Sequence, residues 1–218
     1  MSLPPFDCHT HRLRPNAIHN VRLGVAGPPS KVWYCAGIHP WDSGRYTVQN
    51  VQWPINDHQW VALGECGLDR MCPVPYERQQ TVFIEQLAIS EQFSLPVFIH
   101  CVRAFHEVAL LRRSDSYTLP WIVHGFNKGG NALQTLLDAG LYVSFGSAIL
   151  DPATPAAWAL PQVPEGSFLL ETDESDVSID AIYATAAVLR RCTVADIHRS
   201  IDIARQNTRL SGLASPTA

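Results

Sequence analysis

Six short apolar runs in this 218-residue chain each end, on the carboxyl side, in a side chain that can ligate a metal. Phe6-Asp7-Cys8 leads into His9-Thr10-His11, and the run before Gly37 leads into Gly37-Ile38-His39-Pro40. The run at 60–63 leads into Gly64-Glu65-Cys66-Gly67-Leu68-Asp69. The runs at 96–99 and 121–123 stop at His100 and His124, and the run at 168–170 stops at Glu171-Thr172-Asp173. A single histidine after an apolar run says little. Six such placements in sequence order point to a β/α barrel, where the carboxyl ends of all strands converge on one mouth. His9 and His11 are two apart, so on a strand both face the same side, the barrel interior. Imidazoles and carboxylates brought together there suit zinc, manganese or related divalent ions.

The intervening segments alternate between strand and helix patterns, which means a parallel α/β fold, either a barrel or an open sheet. Strands are expected at 5–8, 18–23, 32–36, 60–63, 96–99, 121–123, 141–145 and 168–170, the second being the weakest pattern. Helices are expected at 76–93, 104–113, 131–138, 180–191 and 194–210. In the first, Val82, Phe83, Leu87 and Ile89 approximate an apolar face, with Glu85, Gln86 and Glu91 between them. Thr193 is the expected N-cap of the last helix and Gly212 its stop. The proline-rich stretch 152–164 reads as loop. The whole chain, 1–218, reads as one domain.

Composition removes several function classes. No apolar run exceeds about six residues, far short of the roughly 18–20 that a membrane-spanning helix needs. The N-terminus shows neither a basic n-region nor an apolar h-region, so a cytoplasmic protein is expected. Its six cysteines, with no Cys-x-x-Cys pair, are then reduced thiols. A net charge of −4 speaks against a large sequence-independent surface for duplex DNA, though not against phosphate chemistry, because bound cations supply local positive charge. No exposed apolar helical stripe marks a dimer face, so a monomer is expected. His19, His58, His106 and His198 lie in polar or helical contexts without a strand end and are read as surface or helix residues.

The motifs above, together with Pro96-Val97-Phe98-Ile99-His100-Cys101 and Val123-His124-Gly125-Phe126, resemble the successive signatures of the TatD family. The likeness runs from residue 6 to about residue 212, and Asn207-Thr208 resembles the family's usual ending. It implies a TIM-type (β/α)8 barrel, metal-dependent hydrolysis and deoxyribonuclease activity of the 3′-5′ exonuclease kind. Carried over by position, it implies two divalent ions: zinc, manganese or magnesium. His9, His11 and Asp173 would hold one and His100 and His124 the other, with Glu65 bridging. Asp173 would also take the proton of the attacking water, which makes Asp173 and Glu65 the expected catalytic pair. His39 would face the substrate, DNA ends or single-stranded DNA. Arg103 and Lys128 are candidates for a phosphate, and Arg70 is a weaker one. Glu171 and Asp7 are expected to be structural, and Asp69 to orient a neighbour or cap a helix.

The chain departs from the family pattern in four places. The interval from His11 to His39 is short, so one or more outer helices should be missing between the first and third strands. Val102 stands where the family has arginine, with Arg103 one residue later. Ser175 replaces a proline, and a substrate-side loop is missing between Asp176 and Ile182. These losses leave a smaller substrate open as an alternative: a phosphoester, amide or ester. A non-catalytic metal-binding protein acting through a partner is a third reading. At 218 residues the chain sits near the low end of the ~200 to more than 400 residues of such barrels. Both shortened intervals fall outside the implied ligands.

Overall fold

The computed structural model describes residues 4–27, 29–114 and 116–213. Eight strands form one sheet in sequence order, all neighbours parallel. They are β1 (Asp7–Thr10), β2 (Ala17–Arg22), β3 (Trp33–Gly37), β4 (Trp60–Asp69), β5 (Val97–Val102), β6 (Trp121–Val123), β7 (Tyr142–Phe145) and β8 (Phe168–Leu170). Six α-helices follow the later strands: α1 (Tyr76–Phe93), α2 (Phe105–Arg112), α3 (Gly130–Leu137), α4 (Pro155–Ala159), α5 (Ile179–Arg190) and α6 (Val194–Asn207). The sheet curls into a trimmed TIM-type barrel that closes at its carboxyl end. There Thr10 of β1 bridges Asp173, just past β8, through His11 N–H to Asp173 C=O (3.1 Å) and Asp173 N–H to His9 C=O (3.0 Å).

The missing outer helices lie where the sequence places them. Among the described residues, the six-residue link 11–16 and the link 23–32 carry no helix. The link 38–59 also lacks one, holding only a 3-10 turn at Pro40–Asp42. Parallel strands ordinarily need a helical crossover to cover their outer face. Here Val48, Val51 and Trp53 of the long link pack on the core instead, and the Tyr46 hydroxyl donates to Gly24 C=O at 2.7 Å.

β4 runs six residues beyond its expected end, through the whole Gly64–Asp69 motif. Two glycines explain how it does so. Gly64 and Gly67 have φ of +133° and +139°, and a Cβ there would meet Phe98 O at 2.5 Å and His100 O at 2.1 Å. Only glycine lets β4 pass this close to β5, on both sides of Glu65.

Three further expectations need correction. The stretch 152–164 is not plain loop: Thr154 caps α4 by accepting from Ala157 N–H, with Pro155 in the first turn, where its missing N–H costs nothing. The last helix has the expected Thr193 cap, as a full capping box with Asp196, but ends at Asn207, five residues before Gly212. On α1 the buried face includes Gln79, Gln86 and Ser90 beside Val82, Phe83 and Leu87, while Ile89 is only half-buried.

Candidate metal centre

Glu65 is buried at the middle of the barrel mouth, and both of its oxygens are shared. Oε1 lies 2.5 Å from His124 Nε2, 3.0 Å from His100 Nδ1 and 3.5 Å from His39 Nε2. Oε2 lies 3.7 Å from His11 Nε2 and 3.8 Å from His9 Nε2, and accepts a hydrogen bond from Asn20 Nδ2 at 2.7 Å. Asp173 Oδ1 completes that side, 3.3 Å from His11 Nε2 and 3.9 Å from His9 Nε2. Residues from β1, β3, β4, β5, β6 and the end of β8 therefore meet around one carboxylate, as convergent strand ends require.

The closing seam positions Asp173. Asp7 accepts Thr172 N–H (3.0 Å) and the Thr172 hydroxyl (2.6 Å), tying the Glu171-Thr172-Asp173 turn to β1. Asp173 itself takes a left-handed backbone with φ +52°, a strain that such ties sustain. Fully buried Glu171 accepts Gly125 N–H at 2.7 Å and the Ser144 hydroxyl, and its Oε1 is 3.6 Å from His124 Nδ1. Asp69 holds the other edge, where its Oδ2 accepts the Trp41 indole N–H at 2.7 Å and lies 3.3 Å from His100 Nε2.

Two glutamines of α1 fix the backbone beneath these groups. Gln86 brackets Ile38, accepting its N–H at 2.7 Å and donating to its C=O at 3.1 Å, directly before His39. Gln79 does the same to Asp69, at 2.8 and 3.0 Å. The sequence reading set Gln86 between the residues of the apolar face and gave Gln79 no role. Their spacing of seven on that face is the signal that could have found them.

Three overlapping sets of donor atoms lie close enough to share an ion: His9, His11 and Glu65; His9, His124 and Asp173; His39, Glu65 and His100. Every ligand implied by the resemblance falls in one of them. His39, expected to face substrate, stands in the third set with its ring against that of His100 (centroids 4.5 Å apart). Asp173 and Glu65 are not the sole carboxylates of the mouth, because Glu174 and Asp69 also border it.

The electrostatics fit divalent cations. His9 Nε2 is buried without a hydrogen-bond partner, although burial of such an atom is costly. Burial and the neighbouring His124 push the His9 pKa down to about 4, which leaves a neutral ring with a free lone pair. Burial opposes ionisation of Glu65, but His124, His100 and His39 outweigh it and hold the carboxyl well below its usual range. Asp173 is likewise held low, by His11 and His9 against burial. Against burial, Glu65 and Glu171 hold the His124 ring well above its usual value, and Asp173 and Glu65 raise that of His11, so binding a metal at these two rings would displace a proton.

Arg103 and Lys128 lie elsewhere on the rim. They line an open groove with Phe105 and the first residues of α3, and neither lines the metal-facing cavity. Arg70 is paired with Glu107 and stacked over Tyr76. Two cavity neighbours escaped the sequence reading. Asn20 sits in β2, where no strand-end signal flags it, and Arg22 closes the same strand, paired with Asp42. His19 also lies within β2, half-buried, rather than in a surface or helical context. All six cysteines are free, and among the described residues no helix is long and apolar enough to cross a membrane.

A family model described as TatD related DNase matches residues 8–208. A protein of Enterobacter lignolyticus (strain SCF1), described as 3'-5' ssDNA/RNA exonuclease TatD, is 33% identical over 165 residues, which cover 69% of this chain and 61% of the relative. One of Edwardsiella piscicida with the same description is 35% identical over 153 residues, covering 66% and 58%. The chain thus spans roughly three fifths of the length of the curated relatives it matches. Among solved structures, YJJV, a TatD homolog from Escherichia coli K12, superposes with a TM-score of 0.74 at 21% identity, covering 88% of this chain and 85% of that one. A TatD family hydrolase from Entamoeba histolytica gives 0.66 at 16% identity, covering 79% and 74%. At such identities the superpositions speak for the fold.

Proposed function

This chain belongs to the TatD family, and from that premise we propose that it is a divalent-metal-dependent hydrolase that removes nucleotides from the 3′ ends of single-stranded DNA. The observation that carries the reading is Glu65, one of whose oxygens faces His124, His100 and His39 and the other His11 and His9, while His9 Nε2 is buried without a hydrogen-bond partner. In the proposed arrangement His9, His11 and Asp173 would hold one ion and His100 and His124 the other, with Glu65 contributing to both. His39 would lie on the His100 side. Bound there, zinc, manganese or magnesium would supply Lewis-acid charge for a phosphodiester oxygen and a lowered pKa for water.

The chain's own groups do the rest. Asp173, ionised and at the edge of the cavity, accepts the proton of the attacking water. Glu171 and Asp69 orient the His124 and His100 rings, and Asn20 orients the bridging carboxylate. Arg103 and Lys128, in the neighbouring groove, receive phosphates further along the strand. The proposed protein is a cytoplasmic monomer formed by one barrel domain.

A cavity of only about 160 Å³ over the metal-facing groups favours a second reading, hydrolysis of a small phosphoester. One experiment separates the two. Metal-loaded protein is incubated with a 5′-labelled single-stranded oligonucleotide and, separately, with p-nitrophenyl phosphate, beside the Asp173→Ala variant. A ladder of products shortened from the 3′ end in the parent alone is the expected result. Turnover of the small ester with an intact oligonucleotide would replace the nuclease reading with the second. Metal uptake without any turnover would leave a binding protein.

A further inference from the structure

We propose that Trp41, flanked by Arg22, is a stacking platform for a nucleobase at the lip of the metal-facing cavity. The inference rests on the nuclease reading and adds to it a subsite for the base next to the scissile phosphate. Trp41 is the one apolar side chain among the described residues lining that cavity, and it is 54% exposed. A tryptophan that gains so little from burial is nevertheless held in one orientation. Its indole N–H donates to Asp69 Oδ2 at 2.7 Å. Its ring stands edge-on to His39 (centroids 4.7 Å apart, planes at 82°) and to His100 (6.0 Å, 75°). The Arg22 guanidinium lies 5.7 Å from the ring centroid and is itself fixed by Asp42 Oδ2, 2.8 Å from Nε.

An exposed aromatic ring fixed beforehand binds a flat partner with little further ordering cost. The cavity's 160 Å³ is too small for a nucleobase together with its phosphate, so a phosphate drawn to the metal-facing groups leaves its base outside, at the lip. Trp41 is the flat apolar surface found there. Every base has a π-face, so stacking is strong and tolerant of sequence, as suits an enzyme that meets each base of a strand end in turn.

The test compares parent, Trp41→Ala and Trp41→Phe, each checked for metal content and thermal melting. The substrates are single-stranded oligonucleotides that are intact or carry an abasic terminal or penultimate nucleotide at the 3′ end. Trp41→Ala is expected to raise KM for the intact end by about 5- to 100-fold, with a smaller change in kcat. In the parent, one of the abasic ends shows the same rise, and combining it with Trp41→Ala adds little further, the signature of a shared contact. Trp41→Phe, which keeps a ring but has no N–H for Asp69, stays near the parent. Equal loss on intact and abasic ends, or Trp41→Phe as poor as Trp41→Ala, would mean that Trp41 acts through Asp69 and His100, and would overturn the platform. So would a parent indifferent to abasic ends. A parent that cleaves no oligonucleotide with any of the three metals defeats the nuclease reading itself, an outcome distinct from normal cleavage with a silent Trp41→Ala.

Discussion

Asn20 and Glu65 hold one another by two hydrogen bonds. The Asn20 carboxamide donates to Glu65 Oε2 at 2.7 Å and accepts the Glu65 backbone N–H at 3.2 Å. The second bond fixes where β4 presents the residue and the first fixes how the carboxylate is turned. Asn20 Oδ1 is in turn approached by the Cys35 thiol at 3.5 Å, so the amide has little freedom to rotate away. Partners of this kind commonly set ligand orientation and with it metal affinity.

Asn20→Ala should therefore weaken metal binding by about 10- to 100-fold, measured by competition with a chelating dye. The metal-free protein should remain folded, because the substitution removes the two bonds to Glu65 and the weaker contact with Cys35 but little apolar area, about 1–3 kcal/mol in all. Unchanged affinity together with a lowered melting temperature would reduce Asn20 to a structural strut. Chelator treatment of the parent should lower its melting temperature, since ligands that bind only the folded state stabilise it.

A second prediction concerns Gln86, which donates to and accepts from the Ile38 backbone inside the core. Gln86→Met fills nearly the same volume but leaves a buried N–H and C=O unpaired. The expected cost is about 2–4 kcal/mol in urea denaturation. Gln79→Met should do the same at Asp69, and the two losses should add, since the residues sit two helical turns apart and share no partner. A near-zero cost for either would mean that water reaches the backbone it was thought to seal.

These glutamines also show where the sequence stopped being legible. Strand and helix positions came through because burial enforces periodicity: β6, β8 and α1 end where the pattern predicts. The convergence of His9, His100, His124 and Asp173 was legible because a barrel gathers strand ends, so position alone brings these candidate ligands together. Asn20, Arg22, Gln79 and Gln86 were not legible, because each acts through a hydrogen bond to a residue outside its own strand or helix. A polar residue on a strand or helix looks the same whether it meets water or a buried backbone. The length of β4 was hidden for a related reason, since glycines that ordinarily break a strand here let it pass close to its neighbour.

The third prediction is a pH dependence remote from the metal centre. Glu91, in the last turn of α1, ties that helix to the segment entering β6. Oε1 accepts the N–H groups of Thr118 (2.8 Å) and Leu119 (3.1 Å), and Oε2 accepts the Thr118 hydroxyl (2.8 Å). Partial burial pushes the carboxyl up, but these donors outweigh it and hold its pKa below the usual value. A carboxyl depressed in the folded state stabilises the fold above the unfolded pKa of about 4.3, and that stability is lost as pH falls through the folded value. Glu91→Gln keeps an acceptor for the two N–H groups but has no charge to lose. It should be less stable than the parent at pH 7 by no more than about 1 kcal/mol, since the site faces solvent. Urea denaturation at pH 7, 5.5 and 4 should show the gap holding through the first step and closing in the second. A gap that widens on acidification would mean that the three hydrogen bonds do not favour the ionised form.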